Sequence, residues 1–424
     1  MKAMINILLA LLLVLPVASC DDTKEYPWND AWNESAKPQE PESPDQPETP
    51  EGPEDPGGSE EPETPQDPEA PDTPDAPQDP DQPEVPEEPE TPEEPETPEE
   101  PETPEVPETP EEPETPEDPE TPESTVPAGW DDVTETFGTL PQHIRIYRSP
   151  DMLLNKKAIA YIAVADMTQS EWDIWSVKSD RSAETSDSFK TPAEVYASDD
   201  APVIINGGYF YWSGSKRYTS SLAVRESEVL AFNINYASED WKTMYYPTRA
   251  AFLEYEDGKV DACWTYATWN NHFMYPVPAE NSWSKAPLSQ PSADFPEGGK
   301  PFAAKTGIGG GPVLINDGKV VDTFREELFN GTSGISPDTS QPRTAVGITS
   351  DEKMIFFVCE GREMTSGVKG FTTGEVAEIL FSLGCVEAMN LDGGGSSCML
   401  VNGKETIKGS DGKQRSVASA LMLK

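Results

Sequence analysis

Asn390-Leu391-Asp392-Gly393-Gly394-Gly395-Ser396-Ser397 brings one carboxylate, three consecutive glycines and two hydroxyls into a single short segment. Asp392 is a candidate base or nucleophile. Glycines leave room for a substrate beside it, successive backbone N–H groups can form an anion-binding concavity, and the Ser396 hydroxyl adds a donor. A second segment, Asn206-Gly207-Gly208-Tyr209-Phe210, closes an apolar run. Its glycines allow close backbone approach to a ligand and Asn206 carries both a donor and an acceptor, although a tight turn or bulge would use the same residues. Gly309-Gly310-Gly311-Pro312 feeds a third run and reads equally as a flexible turn. Arg343 opens one strand-like run and Arg362 follows the end of the next. An arginine there can grip a carboxylate or phosphate bidentately, or form an ordinary surface ion pair. Glu375 is a second carboxylate, but Thr372-Thr373-Gly374-Glu375 is also a helix capping box, which would give it a structural task.

The elements that must position these groups are mostly strands. Apolar or alternating runs fall at 158–165, 202–206, 250–255, 312–315, 344–349, 354–359 and 417–423. Asp257-Gly258, Asp317-Gly318, Asn402-Gly403 and Asp411-Gly412 supply tight-hairpin chemistry between such runs. Helical spacing of Val376, Ile379, Leu380 and Leu383 predicts a helix over 373–383, ended by Gly384. A shorter helix is expected near 192–197. The expected fold class is α+β: one sheet-dominated catalytic domain at 128–424 with few helices. Trp264, Tyr266, Trp269, Phe273, Tyr275 and Trp283 read as an aromatic cluster in a loop-like region, either a sugar-stacking wall or subdomain packing.

Other chemistries find little support. The chain has two histidines, His143 and His272, neither beside a serine motif or a second histidine, which argues against a Ser-His-Asp triad and a His-rich metal site. Cys263, Cys359, Cys385 and Cys398 have no Cys-x-x-Cys spacing, so structural zinc is not expected. They could form disulfides or remain small buried hydrophobes. No metal and no cofactor is called for. The net charge is −49, but 38–127 alone holds 35 acidic and no basic residues, while 128–424 holds 39 acidic against 27 basic. Neither part has the basic stripe that a nucleic-acid partner requires.

The N-terminal third is of another kind. Lys2, an apolar run at 7–17, and Ala18-Ser19 describe a signal peptide at 1–19, too short for the roughly 20 residues of a membrane span. Val17-Ala18-Ser19-Cys20 reads as a lipobox, making Cys20 the lipidated membrane partner at the head of a tether over 20–37. Asp21-Asp22 resembles the acidic tract of surface-exposed Bacteroidetes-type lipoproteins, which implies an outer-membrane location exposed at the cell surface, with periplasm-facing attachment as the alternative. At 38–122 a proline occupies every third position except Ser59, with Glu, Asp, Thr and Gln between them. That period matches the polyproline II helix, so 38–127 is expected to be a disordered acidic stalk.

In order along the chain, N-G-G-Y-F at 206–210, G-G-G-P-V-L-I at 309–315, P-R-T-A-V-G at 342–347, Gly361-Arg362, the helix bearing Glu375 and N-L-D-G-G-G-S-S at 390–397 resemble the phosphodiester glycosidase family. The resemblance runs from about Asn206 to Leu423. It implies cleavage of the bond between a sugar's anomeric carbon and a phosphodiester, with a carbohydrate phosphodiester as substrate. Carried over, the site would hold Asp392, Glu375, Arg343 and Arg362 as catalytic residues. Asn206, Gly207, Gly208, Gly393, Gly394, Gly395 and Ser396 would bind substrate. The rival expectation is a surface glycan-binding lipoprotein without turnover.

Overall fold

The computed structural model describes residues 128–329 and 334–424. The signal peptide, Cys20, the tether and the stalk lie outside the described residues.

All seven apolar runs form strands, and every sheet is antiparallel. An eight-stranded sheet runs in the order Asp131–Asp132, Ile144–Arg148, Ala160–Asp166, Lys353–Cys359, Arg343–Thr349, Cys385–Asn390, Val313–Asn316, Lys319–Val320. A five-stranded sheet has the Val203–Asn206 strand at its centre, between Met399–Val401 and Ser419–Leu423. A seven-stranded sheet pairs Arg249–Glu254 with Thr306–Gly309 on one side and Val260–Ala267 on the other. Among the described residues there are two α-helices, α1 (Pro192–Asp199) and α2 (Thr373–Ser382).

Strand alternation decides which face packs where. Met354, Phe356 and Val358 enter a core shared with Val203, Ile205 and Leu421 of the five-stranded sheet and with Phe252 and Trp264 of the seven-stranded one. Ile355, Phe357 and Cys359 point the other way, onto Val376, Ile379 and Leu380 of α2. The period of two thus covers both faces of the eight-stranded sheet with different partners. The Asn390 end of the Cys385–Asn390 strand pairs with Ala345 near the start of the Arg343–Thr349 strand, while Asn206 pairs with Ala420. These strand ends carry the candidate site.

Three hairpin readings hold. Asp317 and Asn402 take left-handed backbone ahead of Gly318 and Gly403, and Gly258 also has positive φ. Asp411-Gly412 instead turns within a loop closed by Gly412 N–H on the Gly409 carbonyl at 3.0 Å, with no strand on either side. The loop-like placement of the aromatic cluster is corrected as well. Trp264, Tyr266 and Tyr275 are buried within strands of the seven-stranded sheet, and Trp269 is the one left exposed in that stretch. Packing, not an open wall, accounts for that cluster. The four cysteines are free and buried, and burial raises each thiol pKa.

Two carboxylates inside this frame predict a pH dependence of stability. Burial pushes Glu327 up to about 7 despite hydrogen bonds from Thr323, Ala250 N–H and Val313 N–H. Burial also pushes Glu387 up to about 7, against bonds from Asp317 and Ala262 N–H. A raised folded-state pKa favours the protonated form, so this stability is full below the unfolded value and is lost as pH rises through about 7. The melting temperature should therefore be lower at pH 8 than at pH 5. Glu387→Gln should narrow the matching difference in unfolding free energy by on the order of 1–3 kcal/mol. A melting temperature that rises from pH 5 to 8 in wild type, or an unchanged slope in the variant, would contradict this account.

Candidate active site

The segment at 391–397 leaves the Cys385–Asn390 strand and is pinned at successive residues. Leu391 N–H donates to the Thr344 carbonyl at 2.8 Å and Asp392 N–H to the Gly207 carbonyl at 3.1 Å. Asn206 Nδ2 donates to the Asp392 carbonyl at 2.7 Å. Asn390 Nδ2 reaches Gly311 O, Leu391 O and the Tyr209 hydroxyl at 2.9, 2.7 and 3.0 Å. The backbone of Asp392 is thus clamped by residues far away in sequence, leaving its carboxylate at the rim of a partly open turn, Gly394–Ser396.

Burial raises the Asp392 carboxyl to about 6. Ser396, whose hydroxyl stands beside it without completing hydrogen-bond geometry, Arg415, the Gly393 N–H and Arg362 draw it down. The Gly393 N–H bond to Oδ1 is 2.8 Å. An aspartate held near 6 at a half-buried turn is suited to accept a proton or attack an electrophile near neutral pH.

Each glycine has a steric reason. A Cβ on Gly393 would lie 2.8 Å from the Pro342 carbonyl, and one on Gly394, at φ +59°, 2.8 Å from Arg362 Nη2. On Gly395 it would collide with Arg415 and Asp411. The glycines therefore let two arginines and a carboxylate close directly onto the turn. They form less of an anion-binding concavity than expected, because Gly393 N–H is spent on Asp392 and Gly394 N–H on Pro342 O at 2.9 Å.

Arg362 sits on this turn, exposed and in left-handed backbone, with Nε on Gln341 Oε1 at 2.8 Å and Nη1 3.4 Å from Ser410 Oγ. Arg415 approaches from the C-terminal loop, with Nε 2.9 Å and Nη2 2.7 Å from Asp411 Oδ2. Two guanidiniums beside Asp392, one of them already paired with Asp411, can hold an anion while Asp392 works on the carbon attached to it.

Comparison with known proteins finds a family match over part of the chain. Residues 290–424 match the phosphodiester glycosidase family. This glycosidase match includes Arg343, Arg362, Glu375, Asp392 and Arg415, and leaves Asn206-Gly207-Gly208 outside. A SPbeta prophage-derived uncharacterized protein of Bacillus subtilis is 36% identical over 86 residues, 20% of this chain and 13% of that protein. The chain thus spans about an eighth of that relative's length. Among solved structures, the catalytic domain of zebrafish N-acetylglucosamine-1-phosphodiester alpha-N-acetylglucosaminidase, auto-inhibited by its pro-peptide, is 17% identical. Its TM-score is 0.46, covering 69% of this chain and 86% of that one. A hypothetical protein from Synechocystis has TM-score 0.44 at 16% identity, covering 68% and 64%.

Inside the glycosidase match, two residues expected at the chemistry have other work. Arg343 is buried, and its guanidinium donates to four backbone carbonyls: Phe371 at 3.0, Ile335 at 3.0, Ser336 at 2.8 and Thr339 at 2.9 Å. It anchors the segment before its strand and does not present a fork to a ligand. Glu375 forms the capping box of α2, accepting from Thr372 N–H at 2.9 Å, and pairs with Lys156 at 2.6 Å. Burial works against its charge, but Lys156 and the cap win and hold its pKa below the usual range. We therefore expect Glu375→Gln, which can still serve the cap, to keep kcat within about twofold and to cost under ~1 kcal/mol, since part-exposed pairs contribute little. A collapse in turnover with an unchanged melting curve would return Glu375 to the catalytic set.

Outside the glycosidase match, Asn206 is fully buried. Its amide is consumed by Asp392 O, Gly207 O, Thr344 Oγ1 and Cys398 N–H. Gly207 and Gly208 donate to Ser419 O and Ser419 Oγ, and a Cβ on either would strike the neighbouring chain. All three are buried, and the hydrogen bonds they make here position the Asp392 segment and the Ser419–Leu423 strand. Sequence reading missed Arg415 and Asp411; their only local signal is a charged pair four apart in a Gly/Ser-rich loop. Among the described residues no cluster of His, Cys, Asp or Glu has the arrangement of a metal site.

Proposed function

We propose that the protein is a hydrolase of sugar 1-phosphodiesters in glycans or wall polymers, releasing the sugar and a phosphomonoester. The observation that carries this reading is the Asp392 carboxylate, raised to about 6, beside Arg362 and Arg415, while the second carboxylate at this turn, Asp411, is ion-paired to Arg415. Ordinary glycosidases pair two carboxylates because an alkoxide leaves poorly without a proton. A phosphomonoester leaves as a stabilised anion, so cations can replace the general acid. In the overall step the bond from the anomeric carbon to the phosphate oxygen breaks, and its electron pair stays on the phosphate. A water oxygen bonds to that carbon. Asp392 takes the water's proton as base, or first forms a glycosyl ester that water then opens. The match of 290–424 to the glycosidase family supports the reaction class.

The test is turnover of a panel of sugar 1-phosphodiesters by the purified full-length protein, with release of sugar and phosphomonoester measured together. Binding without release across the panel would replace the hydrolase with a glycan-capture protein. In this reading the domain at 128–424 is displayed from the outer membrane, outward-facing, on the stalk at 38–127 and the lipid of Cys20. Metabolic labelling with a fatty acid should mark wild type and not Cys20→Ala; equal labelling would remove the anchor.

A further inference from the structure

We infer that Arg415, aimed by Asp411, is a second phosphate-binding residue that closes a two-guanidinium clamp with Arg362 across the turn at 394–395. The inference deepens the phosphodiester reading and rests on it for the identity of the anion.

The geometry begins with the glycines. Arg362 occupies the space of a side chain on Gly394, and Arg415 with Asp411 occupies that space on the next residue, Gly395. The two cations thus meet consecutive residues of one turn, immediately after Asp392. Arg362 comes from beyond the Lys353–Cys359 strand and Arg415 from just before the Ser419–Leu423 strand, so only the fold brings them together.

The loop that carries Arg415 is tied down along its length. Lys408 N–H donates to Glu360 Oε1 at 3.0 Å, two residues from Arg362. Ser410 lies against Arg362 itself. Gln414 accepts from Ala193 N–H at 2.8 Å and donates to Glu405 at 2.6 Å. Asp411 takes Nε and Nη2 of Arg415 on one oxygen. A guanidinium fixed in this way loses little further freedom when an anion arrives, which favours binding by preorganisation. At 29% side-chain exposure it remains within reach of solvent and ligand.

Charge fits the same assignment. The charged or titratable groups that act on Asp392 or touch its turn are Arg362, Arg415, Tyr209 and Asp411. Arg343, which sequence reading assigned to the phosphate, spends its guanidinium on backbone carbonyls. Among the described groups that act on Asp392, Arg362 and Arg415 are the two cations.

The experiment compares wild type, Arg415→Gln, Arg415→Lys and Asp411→Asn in the full-length protein, with melting curves for each. Calorimetry reads the affinity for inorganic phosphate, and kinetics reads KM, kcat and their pH profile on a sugar 1-phosphodiester. Arg415→Gln should weaken phosphate binding tenfold or more, raise KM, and move the acid limb of kcat/KM to higher pH, because Asp392 loses a cation. Arg415→Lys should restore the limb while leaving phosphate weak, since an ammonium cannot hold Asp411 with one edge and turn a second planar edge to the anion. Asp411→Asn should raise KM more than it lowers kcat. A folded Arg415→Gln with phosphate affinity within twofold of wild type overturns the clamp. If that variant does not fold, unchanged affinity in both Arg415→Lys and Asp411→Asn overturns it instead. Wild type that fails to bind phosphate also overturns it, whatever its turnover. Arg415-dependent phosphate binding without turnover on any phosphodiester keeps the clamp and removes the hydrolase reading.

Discussion

Asp392→Asn is expected to lower kcat on a sugar 1-phosphodiester by on the order of 10²–10⁴-fold, with KM and melting temperature near wild type. The substitution keeps the shape, and an amide oxygen can still accept the Gly393 N–H that Oδ1 accepts now. The backbone is held independently, by Gly207 O on its N–H and by Asn206 on its carbonyl, so the turn should survive. What disappears is the charge that accepts the proton or attacks the carbon. Wild-type kcat/KM should rise as pH passes through about 6, where burial has moved this carboxyl, because its deprotonated form is the active one. The variant should lose that limb. Burying a neutral amide in place of an acid also removes a group that disfavours the fold above pH 6, so Asp392→Asn should melt no lower than wild type at pH 8. Wild-type turnover in a folded Asp392→Asn would end the proposed chemistry at this residue.

Arg343→Ala should have the largest effect on stability, about 3 kcal/mol or more, and should be read by melting before any kinetics. The guanidinium is buried and supplies donors to the carbonyls of Ile335, Ser336, Thr339 and Phe371. Truncation leaves these acceptors without that donor and opens a hole beneath Gly393, whose own Cβ direction faces Arg343 Cα and Cδ. Arg343→Lys should recover part of the loss at most, because one ammonium cannot span four carbonyls. Arg362→Ala should show the reverse pattern. Its side chain is exposed and holds Gln341 and Ser410, so the melting temperature should barely move while KM rises. If Arg343→Ala melted like wild type and raised KM alone, the guanidinium would be a ligand and the carbonyl cage incidental.

The amino-acid sequence by itself determined the seven apolar strands and α2, and singled out Asp392 as the candidate chemical centre. Alternation in 353–359 fixes a strand with two covered faces, Thr372 and Glu375 fix the start of α2, and positive-φ glycines fix the hairpins. These are short-range matters of steric preference and period, so local residues suffice. Asp392 before three glycines was legible for the same reason: few structural needs place that set together. Tertiary structure alone decided which polar groups still have capacity for a ligand. Asn206, Gly207, Gly208 and Arg343 have the residue types of a binding site, yet their donors and acceptors are engaged by the protein itself. For Asn206 the partners include Thr344, Asp392 and Cys398, 138 to 192 residues away. Arg415 gained its place beside Asp392 in the same way, through a strand order that returns the C-terminus to the Val203–Asn206 strand. A hydrogen-bonding group can be spent only once. Where it is spent depends on neighbours the fold supplies, not on its own position in the chain.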